Sequence, residues 1–290
     1  MRHLAIILTA CSALGAAAPV CGQSFNFAAA TVAEASAGGP AMPQLIEAAP
    51  QQALPAVMPS SAALPRMSPE LALATFHRRA QVQSADLASL ASVTEIAAQL
   101  PDTRQQGTFQ LRRNYTAPRE LKFTPIQFTG DGFVKTNVIN RLLQSEVDHV
   151  EKNDPASTAI SNQNYKFSYK GVEKIDGVAV HVFQLKPRHK VPGLFKGRVY
   201  LDAATGALRR AEGTLVKSPS WFVKKIEFVQ DYADVAGFVL PVRTHSSAST
   251  RLVGKAVVDI TYRDYEARPV PGTEAEVSGL RAAASAASGN

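Results

Sequence analysis

Cysteine is nearly absent: the 290 residues hold two, Cys11 and Cys21. No thiol follows position 21, so a chain cut after that point has no disulfide, no thiolate nucleophile and no cysteine metal ligand. Apolar runs of the roughly 20 residues needed to span a bilayer are missing after residue 22, which excludes a multipass helical membrane protein. Collagen-like repeats and sustained heptads are missing too. Histidine is sparse. After His3 it occurs at His77, His149, His181, His189 and His245, none within metal-ligand spacing of another. Neither His-Glu-x-x-His nor Gly-x-Ser-x-Gly occurs. Gly130-Asp131-Gly132-Phe133-Val134-Lys135-Thr136 looks superficially like a phosphate loop, but Val134 stands where the glycine before the lysine belongs. The expectation is therefore no metal, no cofactor, no enzyme activity and no nucleic-acid partner.

What the chain does have begins with an address. Met1-Arg2-His3, the nearly uncharged Leu4 to Val20 and the small residues of Val20-Cys21-Gly22 are the parts of a secretory signal peptide, with cleavage expected after Gly22. The alternatives are an uncleaved anchor helix, or lipidation at Cys11 through Leu8-Thr9-Ala10-Cys11. Residues 23–68 carry 13 Ala and 6 Pro but only Glu34, Glu47 and Arg66 as charges, a composition that cannot bury enough surface to offset its ordering entropy. They read as a disordered linker, and 269–290 as a similar Ala/Ser/Gly tail. One folded domain is left, residues 69–268. The whole chain has 31 Lys+Arg against 24 Asp+Glu, a net charge of +7.

Ser68-Pro69-Glu70 is a helix start, predicting a helix to about residue 82. Leu87 to Leu100 is ambiguous. From Thr108 the period becomes two, with Phe109, Leu111, Arg113 and Tyr115 on one side of a strand. Leu121 to Thr129 predicts another strand. Asn137 to Val150 has no Gly or Pro and predicts a helix over 134–152, with Asp131 as its cap or turn residue and His149 at a solvated position. Strands follow in series: Tyr165 to Tyr169, Val172 to Ile175, Val178 to Leu185 after the Asp176-Gly177 turn, Gly197 to Leu201, Ala207 to Val216, Phe222 to Tyr232, Phe238 to Val242 and Ala256 to Tyr262. The fold class is mainly β (α+β). A single large antiparallel sheet must curl into a barrel or half-barrel, or be covered by its helices, and the helix at 134–152 is the natural lid.

Two features bear on function. Arg113 shares a face with Phe109, Leu111 and Tyr115, so it either turns outward at a bulge or meets a partner inside, helix carbonyls or a ligand head group. The run Lys186, Arg188, Lys190, Lys196, Arg198, Arg209, Arg210, Lys217, Lys224 and Lys225 faces few acids. It is either a set of solvated strand faces or a patch for an anionic membrane surface or an envelope protein.

Gly107-Thr108-Phe109-Gln110-Leu111, Ala117-Pro118-Arg119-Glu120-Leu121, Gly130-Asp131-Gly132, Ile175-Asp176-Gly177, Val199-Tyr200-Leu201-Asp202 with Thr205 and Arg209, and Asp234 to Pro241 together resemble, in order and spacing, the outer-membrane lipoprotein-carrier (LolA-like) superfamily, which includes the RseB-type sensor domain. Ala117 stands where that family has a basic residue. The resemblance implies an unclosed antiparallel half-barrel with one or two helices in its mouth, whose apolar cavity holds the acyl chains of a lipid or lipidated protein. The candidate cavity contacts are Phe109, Leu111, Arg113, Tyr115, Phe123, Phe128, Val138, Leu142, Phe167, Tyr169, Phe222 and Phe228. The alternative is an interaction or sensor module of the same fold that contacts its partner through Arg209 and Arg210.

Overall fold

The computed structural model describes residues 66–152, 155–217, 223–250 and 254–270. The leader, nearly all of the linker and the tail, together with Trp221 and Phe222, lie outside them. Helix α1 (Pro69–Asp86) starts as predicted, with the Ser68 hydroxyl accepting from the Leu71 N–H, and runs a turn further than expected. Then come β1 (Leu87–Leu100), β2 (Gln105–Thr116) and β3 (Glu120–Gly130). A helical stretch, α2, follows: Gly132–Val134, a π-helical segment Lys135–Ile139, and Asn140–Lys152. The remaining strands are β4 (Tyr165–Ile175), β5 (Val178–Pro187), β6 (Phe195–Asp202), β7 (Leu208–Leu215), β8 (Val223–Val235), β9 (Phe238–Thr250) and β10 (Lys255–Pro269).

All ten strands form one curved, unclosed antiparallel sheet in the order β3-β2-β1-β10-β9-β8-β7-β6-β5-β4. The ambiguous segment Leu87 to Leu100 is β1, near the middle. Its pattern is hard to read because Ser92, Thr94 and Ala98 lie on the buried side while Ala91, Val93 and Ala97 lie on the other, so the usual polar/apolar contrast is lost. The concave wall is unbroken. Phe128, Phe109, Ile96, Ile260, Thr244, Gln230, Ala211, Val199, Phe183 and Tyr169 stand side by side, one per strand, from one edge to the other.

The edge strands β3 and β4 are consecutive in the chain, so residues 131–164 must travel from one edge to the other. Nine spacings of about 4.8 Å would put the edges roughly 43 Å apart in a flat sheet. Part of that path is α2, laid on the concave side. The core gathers in separate clusters. One joins α2 to β1, β2 and β10, and another joins Phe76 of α1 to β4–β8. A third, with Leu87, Leu90, Tyr115, Leu121 and Leu240, closes one end.

Gly197 and Gly213 face each other across β6 and β7. A Cβ on Gly197 would fall on the carbonyl oxygen of Glu212 and the Cα of Gly213, so the two backbones approach more closely than side chains allow. Phe195 and Phe228 close over this gap, edge to face with centroids 5.1 Å apart. Gly197→Ala is expected to destabilise by about 1–3 kcal/mol through overpacking, against less than about 0.5 kcal/mol for Ser168→Ala on the exposed edge, both read from urea denaturation midpoints.

Candidate functional site

Asp131 fixes where α2 begins. Its N–H donates to the carbonyl of Gln106 and its carboxylate accepts from the Gln106 N–H at 2.8 Å, so it clasps the start of β2 and does not cap the helix with its side chain. From there Val134, Val138, Leu142 and Glu146 recur every fourth residue on the buried face. The extra residue of the π-helical segment lets Val138 and Ile139 both bury before the α-helix resumes.

These side chains fill a trough whose buried wall includes Phe109 and Leu111, with Phe123, Phe128 and Leu143 packed against it. Lys135 lies over the rings of Phe128 and Phe109, 4.9 and 5.5 Å from their centroids. Six of the sequence-derived candidates, Phe109, Leu111, Phe123, Phe128, Val138 and Leu142, therefore meet in one place.

Arg113 points inward. It is 7% exposed and its Nε lies 3.6 Å from Oε2 of Glu146, itself 6% exposed. Burial pushes the Glu146 carboxyl above its ordinary range and Arg113 pulls it back only in part. The sequence singles out Arg113 but not its partner. The signal was there in the four-residue spacing, which places Glu146 on the same stripe as Val138 and Leu142.

The other candidates lie elsewhere. Tyr115 belongs to the end cluster, its hydroxyl donating to the Pro118 carbonyl. Phe228 and Phe167 sit in the α1 cluster. Tyr169, on the edge strand, is 44% exposed and leans on His181 and Phe183. Phe222 lies outside the described residues. His149, expected in solvent, is partly buried beside Thr158 at 3.4 Å, and burial lowers its pKa.

Three cations of the basic run are answered from within. Arg209 donates twice to Asp202, at 2.9 and 3.1 Å. Burial pushes the Asp202 carboxyl up, but Arg209 and the N–H groups of Ala204 and Thr205 hold it below its usual range. Arg210 pairs with Asp231 and Lys225 with Glu227, each at 2.6 Å.

Under α1, a cavity of about 40 Å³ is lined by Phe76, Arg79, Ala80, Gln83, Leu208, Tyr232 and their neighbours. That is room for water, far below the roughly 300 Å³ of a ligand pocket.

Arg113→Ala is expected to cost about 3–5 kcal/mol in chemical denaturation because it strands Glu146. Replacing both partners, Arg113→Met with Glu146→Leu, is expected to fall within about 1 kcal/mol of the parent or above it. The sign of the pH effect follows from the raised Glu146 carboxyl. The folded state keeps a proton that the unfolded state has released, so this contribution is full below the ordinary value of 4.5 and fades as pH rises through the folded one. Stability measured from pH 4 upward is expected to lose this component in Glu146→Gln.

No family model and no curated protein matches the chain. Among solved structures it is similar to a DUF1329 family protein from Desulfovibrio piger, at 12% identity over 70% of this chain and 93% of that one, TM-score 0.36. It is similar to a LolA superfamily protein from Nitrosomonas europaea at 15% identity over 71% and 96%, TM-score 0.34. It is also similar to a chain of the Pseudomonas aeruginosa MucA/MucB complex at 12% identity over 70% and 95%, TM-score 0.24.

Proposed function

We propose that this is an exported, periplasmic or secreted binding protein without catalytic activity, whose concave wall takes up the acyl chain of a lipid or lipidated protein when α2 lifts. The observation that carries this is the filling of the apolar trough. Phe109, Leu111, Phe123 and Phe128 are covered by four side chains of a separate amphipathic helix, Val134, Val138, Ile139 and Leu142, and not by a second sheet.

The energies balance. Burying four such side chains is worth roughly 6–12 kcal/mol at about 1.5–3 kcal/mol each. A chain of about fourteen carbons gains roughly 11 kcal/mol at about 0.8 kcal/mol per CH₂. Exchanging the helix for an acyl chain is thus close to neutral, as reversible loading and release requires. The Arg113–Glu146 pair adds little net attraction, since desolvation offsets its Coulomb energy.

Native mass spectrometry of protein from an exporting host is expected to show a co-bound acyl species, and a fluorescent fatty acid is expected to bind. Leu142→Ala weakens the lid by about 2–5 kcal/mol and should therefore tighten fatty-acid binding by roughly tenfold or more, because the open state becomes more populated. An empty parent protein, together with no fatty-acid uptake by either form, refutes the reading.

A further inference from the structure

The ion pairs of β7 and β8 leave one corner of the outer face unanswered. Lys166 of β4 stands directly opposite Lys186 of β5. Lys196 of β6 lies one position beyond the Leu185–Gly197 pair, on the same side as Lys186. Along that row β7 offers Thr214, and the next acid, Glu227 on β8, is already bound to Lys225. All three lysines are exposed, and among the described residues none forms an ion pair.

Like charges set opposite one another weaken a sheet. A partner bearing negative charge removes that repulsion. The loop after β5 extends the row with Arg188, Lys190 and the 38% exposed Val191. Arg188 is held in place by the carbonyls of Asn162 and Tyr165, at 2.9 and 3.3 Å, with no carboxylate on it among the described residues.

We propose that the outer face of β4–β6, with the loop that follows β5, docks on an anionic phospholipid bilayer. A row of cations spread over three neighbouring strands matches a surface of phosphate head groups. The apolar Val191 beside those cations suits the bilayer interface better than an acidic protein surface. The surface would serve whatever the concave side holds.

The test is co-sedimentation of the full chain with vesicles of phosphatidylglycerol and phosphatidylcholine in equal parts, and with phosphatidylcholine alone. Binding is expected only to the anionic vesicles and is expected to fade at roughly 0.5 M salt. The triple variant Lys166→Thr, Lys186→Thr, Lys196→Thr should bind roughly a hundredfold more weakly, about fivefold per cation. Its melting midpoint should match or exceed the parent's, because the repulsion is gone, and its fatty-acid uptake should be unchanged. If the triple variant is unstable, Lys186→Thr alone should weaken binding about fivefold. Equal binding to both vesicle types, undiminished binding by these variants, or capture on immobilised polyglutamate with none on vesicles overturns the proposal.

Discussion

The structure depends on a constraint of connection. The two edge strands of the sheet, β3 and β4, follow one another in the chain, so a single segment has to cross the full width of the wall. Crossing on the convex side would leave the apolar face of the sheet in water. Crossing on the concave side buries it. Once the segment lies there, its helical part must present an apolar stripe to the wall and a polar one to solvent, and α2 does so through Val134, Val138, Ile139 and Leu142. The cover over the wall is thus a consequence of topology.

The wall beneath is not uniformly apolar. Along its central row Thr244 and Gln230 separate Ile260 from Ala211, and Ser246 stands beside them between Val258 and Phe228. These buried polar groups divide the concave side into the part under α2 and the part under α1. Each part packs around its own helix, Phe76 of α1 in one and Val138 and Leu142 of α2 in the other, with Ala248 against both. At one end of the α2 trough sits the Arg113–Glu146 pair, a contact whose strength depends on both partners staying dry.

Charge is arranged on the opposite surface with equal economy. Arg209 and Arg210 of β7 and Lys225 of β8 are paired with Asp202, Asp231 and Glu227. They tie turns and neighbouring strands together. Lys166, Lys186 and Lys196, side by side on β4, β5 and β6, have no such partners among the described residues. Sequence order hides this, because Arg209 and Lys196 belong to the same basic run and differ only in what lies across the sheet from them.

Period-two alternation at Phe109 to Tyr115, the Asp176-Gly177 turn and the Ser68-Pro69 helix start were enough to read a large antiparallel sheet with a helix before it and a helix within it. These are local signals, set by neighbours within a few residues. They failed at β1, where small residues on both faces erase the alternation, and at His149, whose burial comes from Thr158 across a loop. They could not show which of the twelve candidate contacts meet, because convergence depends on strand order. Phe109 and Leu142 share a trough, while Tyr115, on the same strand as Phe109, closes a different cluster. The amino-acid sequence alone determined the alternation, the caps and the amphipathic stripe. The tertiary structure decided that Arg113 faces Glu146, that Arg210 is neutralised and that Lys186 is not, since pairing across strands and layers is a property of register and not of order along the chain.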